Sequence, residues 1–195
     1  ASNNAADVKV TYLNSSGHVN AYIRNRLTSA TVTKDAVTRV LTTRTYDEYV
    51  NNPCSTIGPG LGIQAAPTSP APRLHDASYT TSYTLRGNLG TEIQLGRAKA
   101  CRQYDELGNV VNGFTYNNLN GPTTAVTWDG ARNYAVPATI TPNSNTDLQQ
   151  SASYNAFLGV TQLQLPNQVI MDFGWDAQAR PSTTQSPHGA ETTHT

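Results

Sequence analysis

Short alternations of apolar and polar residues recur along this chain and never lengthen into a helical stripe. The runs Val8 to Tyr12, Val37 to Tyr46, Tyr79 to Leu85, Ala125 to Trp128, Ala138 to Thr141, Val160 to Leu165 and Val169 to Phe173 either alternate or are bounded by Gly, Asn, Asp or Pro. That is the pattern of half-buried strands separated by tight turns. No window of helical length places apolar residues at three- and four-residue spacing. The pattern predicts an all-β chain of antiparallel hairpins. One stretch breaks it: residues 51–72 carry prolines at 53, 59, 67, 70 and 72. Proline lacks the ladder donor, so this stretch reads as a long surface loop inserted between strands. Residues 1–195 otherwise read as a single β-domain, either whole or a fragment of a longer repeat protein.

Composition sharpens that reading. The chain holds 27 Thr, 18 Asn and 10 Tyr against 3 Lys. Thr and Tyr suit pleated strands, and Asn suits the turns between them. Charged residues make up 13% and the formal net charge is +0. Binding nucleic acid needs a basic stripe to neutralise phosphates, so that partner is excluded. No apolar run is long enough to span a bilayer as a helix, so membrane insertion is not expected. A Thr/Asn-rich, Lys-poor chain with two cysteines, Cys54 and Cys101, suits a secreted or cell-surface setting. Both a bridge between them and two buried free thiols fit the sequence. The sequon Asn14-Ser15-Ser16 arises easily by chance and carries no weight.

A unit repeats. An aromatic residue followed by a turn with a nearby glycine occurs at Tyr12 to Gly17, at Tyr83 to Gly87-Asn88, at Tyr104-Asp105-Glu106-Leu107-Gly108-Asn109 and at Tyr154-Asn155 to Gly159. Trp175-Asp176-Ala177-Gln178-Ala179-Arg180 is a variant. Tyr83 to Tyr104 and Tyr154 to Trp175 are each 21 residues apart, which two strands and two turns fill, so the period is one hairpin. In each unit the aromatic is expected to end a strand and cover its neighbour. Asp105 or Asn155 is expected to bond the turn amides, and Gly108 or Gly159 to take positive φ.

These units resemble the YD-repeat or Rhs-repeat family, whose members include bacterial Rhs proteins, the shell proteins of insecticidal toxin complexes, and teneurins. The resemblance rests on Gln103 to Val111 and on Phe173 to Pro181, runs through Tyr79 to Thr195, and is looser over residues 1–50, where Thr45-Tyr46-Asp47 carries it. Departures are Trp175 for Tyr, Asn155 for Asp and Ala179 for Gly. The resemblance implies a β-sheet spiralling into a hollow, solenoid-like shell that often encloses a toxic domain. On that reading the chain is a structural shell or scaffold segment without catalysis. Its partners are the rest of a longer repeat chain or further copies of itself, and an enclosed cargo domain or a glycan.

Other candidate chemistry is thin. His18, His75, His188 and His194 lack the spacing of a zinc site, and no cofactor or metal is expected. His75-Asp76 has no nucleophile elbow beside it. Asp172 and Asp176 would share a face of a regular strand, as a glycoside hydrolase requires, but Asp176 belongs to the repeat turn. Trp128, Tyr134 and Trp175 are the rings an adhesin or carbohydrate-binding module would use as a stacking platform.

Overall fold

The computed structural model describes residues 5–49, 62–96, 98–116 and 122–194. The chain divides into two compact units, residues 1–65 with 76–123 and residues 66–75 with 124–195. The described residues are all-β apart from one five-residue helix and three short 3-10 turns.

The first unit holds strands β1 (Asp7–Tyr12), β2 (Leu27–Lys34), β3 (Val37–Tyr46), β4 (Leu89–Gln94), β5 (Ala98–Tyr104) and β6 (Val110–Tyr116), with helix α1 (Ser16–Asn20) between β1 and β2. Each strand pairs antiparallel with the next in the chain. Threonine makes the cross-strand contacts its propensity implies: Thr11 meets Ser29 at 2.6 Å and Thr33 meets Thr38 at 2.9 Å, hydroxyl to hydroxyl. At one rim the strands turn through two consecutive left-handed residues, Asp35-Ala36 and Leu95-Gly96, the backbone of a type I′ hairpin loop. At the other rim β1, β3 and β5 end in Tyr12, Tyr46 and Tyr104.

Residues 62–72, the described part of the proline-rich stretch, hold no strand; Pro53, Cys54 and Pro59 lie outside the described residues. Gln64 makes an isolated parallel bridge to Asp105, donating to the Tyr104 carbonyl and accepting from the Glu106 amide, both at 2.9 Å. Among the described residues the buried side chains of the unit are Ile63, Thr91, Cys101, Gln103, Tyr104, Asp105 and Phe114, beside or close to this contact in the chain or across a strand pair. Cys101 is disulfide-bonded.

The alternation from Tyr79 to Leu85 predicts a strand, and here the structure differs. The segment forms turns, with Tyr79 N–H on the Asp76 carbonyl (3.0 Å) and Tyr83 N–H on the Thr80 carbonyl (2.9 Å). The Arg86 guanidinium takes the carbonyls of Tyr79, Thr80 and Tyr83 at 2.7–2.9 Å. Those acceptors are spent on a side chain and are lost to a ladder.

The second unit repeats the plan with β7 (Thr123–Trp128), β8 (Pro137–Pro142), β9 (Gln150–Tyr154), β10 (Val160–Leu165), β11 (Val169–Trp175), β12 (Pro181–Gln185) and β13 (Glu191–Thr193), each paired antiparallel with its successor. Its I′-type rim carries Asn143-Ser144 and Asn167-Gln168 at positive φ. β7, β9 and β11 end in Trp128, Tyr154 and Trp175. Both units are single-layered, and few side chains in either are fully buried.

Candidate functional site

In each unit the acid and amide turn residues lie where odd-numbered strands end: Asp47 and Asp105 in the first, Asn155 and Asp176 in the second. Asp105 shows the arrangement most fully. Its Oδ1 accepts the amides of Leu107 (3.0 Å) and Asn109 (2.8 Å). The Asp105 amide donates to the Asn109 carbonyl at 3.0 Å, and Gly108 N–H returns to the Asp105 carbonyl at 3.0 Å. Gly108 sits at φ +85°, where a β-carbon is disfavoured. The same bonds recur at Asn155, whose Oδ1 accepts from Phe157 (3.2 Å) and Gly159 (2.8 Å). They recur at Asp176, which accepts from Gln178 and Arg180, both at 2.9 Å. Ser186 builds the turn between β12 and β13 with its hydroxyl, accepting from Ala190 at 3.1 Å.

Position fixes the left-handed residue. It is the third after the acid, amide or hydroxyl: Gly108, Leu158, Ala179 and Gly189 all have positive φ. Gly159, expected to take this conformation, does not. A β-carbon there would lie 2.7 Å from Trp175 Cε2, so Gly159 is needed for the close approach of the indole. Aligning the glycines by their letters hides that the Asn155 turn places its glycine one residue later.

Four of the strand-end aromatics do the same job. Tyr46, Tyr104 and Tyr154 donate their hydroxyls to the carbonyls of Leu27 (2.9 Å), Leu89 (3.0 Å) and Pro137 (2.8 Å). Trp175 Nε1 donates to the Val160 carbonyl at 2.7 Å. In every case the acceptor is the first residue of the preceding strand, so the ring closes the open end of its own hairpin. Pairing registers shift beside the aromatics, between Thr11 and Tyr12, Thr45 and Tyr46, Gln103 and Tyr104, Thr127 and Trp128, and Gly174 and Trp175. Such bulges re-aim a side chain. Burial pushes the Tyr104 and Tyr154 phenols up. The Asp105 carboxyl is also raised, because burial outweighs the amide bonds from Asn109 and Leu107. Asp176 is lowered, by the Arg180 amide first and then by the Arg180 side chain, whose Nε lies 2.7 Å away.

Tyr83 does not anchor Gly87. The acid facing Gly87 is Asp47: its Oδ2 accepts from Arg86 N (2.9 Å) and Gly87 N (2.7 Å), and its Oδ1 from Asn88 N (2.8 Å). Thr84, which follows Tyr83, has no carboxylate to offer. Asp47 also takes the Tyr49 hydroxyl (3.0 Å) and His18 Nε2 (3.0 Å), while His18 Nδ1 meets Ser15 Oγ at 2.5 Å. Burial, and then the neighbouring Asp47 charge, push the Tyr49 phenol well up. No local motif in the sequence signals this Ser-His-Asp line. The Asp47 carboxylate is filled by five donors, which makes it a clamp joining α1 to the sheet. Tyr12 ends β1 as expected, but Gly17 lies in α1 and not in a tight turn.

The remaining candidates disperse. Tyr134 is buried, its hydroxyl on the Pro70 carbonyl at 2.5 Å, and Trp128 and Trp175 are half-buried. A groove of about 760 Å³ in the second unit is lined by Ile140, Tyr154, Leu163, Phe173 and Trp175, among mostly apolar neighbours, and by neither Trp128 nor Tyr134. Asp172 accepts from Gln162 Nε2 at 2.9 Å, whereas Asp176 is committed to its turn. His194 bonds Thr184 and His188 lies in the Ser186 turn. Among the described residues no three His, Cys, Asp or Glu side chains cluster as metal ligands.

No family model matches the chain, and no curated protein does. Solved structures do. The crystal structure of TcdB2-TccC3 superposes with a TM-score of 0.58 at 12% identity, over 98% of this chain and 9% of that one. The fold is shared. TcdB2-TccC3-TEV matches at TM-score 0.46 and 9% identity over 98% of this chain and 11% of that one. The Photorhabdus luminescens Tc holotoxin pore matches at 0.37 and 10%, over 97% and 7%. This chain therefore spans about a tenth of the length of the structures it resembles.

Proposed function

We propose that this chain is a length of YD-repeat wall, a structural segment of a secreted or cell-surface shell, with no chemistry of its own. The observation that carries the reading is the recurrent strand-end turn. Asp47, Asp105, Asn155 and Asp176 spend their side-chain oxygens on backbone amides, and the ring beside each closes a hairpin. These are devices for stacking strands, which is what a repeat wall needs. The match to TcdB2-TccC3 across 98% of this chain supports the same fold-level conclusion. Its partners on this reading are the flanking repeats of a longer chain or other copies of itself, with an enclosed cargo domain inside. The test is electron cryomicroscopy of the full encoded protein. A hollow shell with these strands in its wall is expected, and a compact domain standing outside any shell would overturn the proposal.

A further inference from the structure

We infer that the turn after Tyr46 is a repeat turn interrupted by residues 49–85, and that it is a site where this scaffold accepts added sequence. The inference rests on reading the strand-end turn as the building unit of a wall. The flanks of the segment are Tyr46-Asp47-Glu48 and Arg86-Gly87-Asn88. Read together they spell Tyr-Asp-Glu-Arg-Gly-Asn, against Tyr104-Asp105-Glu106-Leu107-Gly108-Asn109. The two differ only at Arg86 and Leu107.

Geometry agrees with spelling. Asp47 accepts the Arg86 and Asn88 amides as Asp105 accepts those of Leu107 and Asn109. Asp47 N–H donates to the Asn88 carbonyl at 2.9 Å, as Asp105 N–H does to Asn109 at 3.0 Å. Gly87 is left-handed at φ +71°, Gly108 at +85°. Tyr46 and Tyr104 each donate to the first carbonyl of the strand before. β4 starts directly after Asn88 and β6 directly after Asn109. One turn is continuous and the other is closed by residues 39 to 41 positions apart. Because the cost of closing a loop grows only logarithmically with its length, a segment inserted at a turn whose ends already meet adds little penalty.

The described residues of the segment make contacts of their own: 62–65 pack in the first unit and 66–75 in the second, where the Pro70 carbonyl accepts the Tyr134 hydroxyl and the Arg73 amide donates to Asn133 Oδ1, both at 2.5 Å. Gln64 bridges to the Asp105 turn, and Gln103 Nε2 donates to the Gly62 carbonyl at 2.9 Å. Outward it shows Tyr79 and Tyr83, edge to face at 4.7 Å, with the Arg86 guanidinium 5.6 Å from the Tyr83 ring. That surface has no counterpart in the continuous Asp105 turn.

The test is excision. A chain lacking residues 49–85 and carrying Cys101→Ser is compared with the full chain carrying Cys54→Ser and Cys101→Ser. The excised chain is expected to keep a β-type circular dichroism spectrum and one cooperative melt, at a Tm below that of the control because buried Ile63 is removed and Gln103 and Tyr134 lose their bonds to Gly62 and Pro70. Asp47→Ala in the excised chain is expected to lower its Tm as Asp105→Ala does. A third chain, with 49–85 replaced by a Gly-Ser linker of equal length, guards against misreading a failure. If the linker chain melts cooperatively and the excised chain does not, the ends do not close directly and the inference fails. If neither folds, the segment is integral and the inference also fails. An excised chain that folds but is indifferent to Asp47→Ala has not re-formed the turn, which overturns it too. None of these outcomes touches the wall reading, which imaging of the encoded protein decides.

Discussion

Gly108 and Gly159 look interchangeable as letters, yet one answers to torsion and the other to space. A β-carbon at Gly108 would meet open room, and the residue is held only by φ +85°. Gly108→Val is therefore expected to cost about 1–2 kcal/mol of left-handed strain, and Gly108→Asn much less, since Asn tolerates that region. Gly159 has no positive φ but abuts the Trp175 ring. Gly159→Ala is expected to cost about 1–3 kcal/mol by overpacking, with Asn there no better. Urea melts of the four variants separate the two mechanisms; equal costs for Asn at both sites would refute the assignment. Asp105 offers a pH test at the same scale. Its carboxyl is raised in the fold by burial, so the folded state holds the proton longer than the unfolded chain does. The stabilising share is complete below the unfolded pKa and is lost as pH climbs through the folded one. Asn155 shows that an amide fills the position. Asp105→Asn should thus match the parent at pH 3 and equal or exceed it in Tm at pH 7. A parent that gains on the variant between those pH values would contradict the burial argument.

Turns at the opposite rim test the hairpin itself. Asp35-Ala36 and Leu95-Gly96 adopt consecutive positive φ, which suits Asn-Gly and penalises Ala or Leu. Ala36→Gly is expected to raise stability by about 0.5–1 kcal/mol and Gly96→Ala to lower it by a similar amount, read from thermal melts. The same elements explain what the sequence could and could not disclose. Alternation in Val37 to Tyr46 and Val160 to Leu165 marks β3 and β10 to the residue, because apolar side chains there meet a partner strand. β2, Leu27–Lys34, and β12, Pro181–Gln185, are Thr- and Ser-rich and carry little apolar signal. Tyr79 to Leu85 carries the signal without the strand, since Arg86, outside the run, claims its carbonyls. The Asp105 and Asp176 turns are legible because acid, left-handed residue and closing amide lie within six residues. The Asp47 turn is not, because its acid and its glycine are separated by the whole of 49–85.

At the scale of the whole chain the decisive quantity is how much apolar surface an edge strand leaves uncovered. β1 pairs with β2 and, among the described residues, with no other strand. Val8, Val10 and Tyr12 along it are 67%, 44% and 54% exposed. An unpaired edge carrying apolar side chains is a template for another strand, and natural sheets blunt such edges with charge. Lys9 is the sole cation on β1. The isolated 195-residue chain is therefore expected to associate with itself as its concentration rises, through this edge. Light scattering coupled to size-exclusion chromatography would show the apparent mass growing with loading. The double variant Val8→Lys and Val10→Lys should restore a concentration-independent monomer while leaving the melt cooperative, because neither side chain is buried. A parent chain that stays monomeric at every loading would show that the β1 edge does not recruit a partner strand, and the wall would then have to be completed from elsewhere.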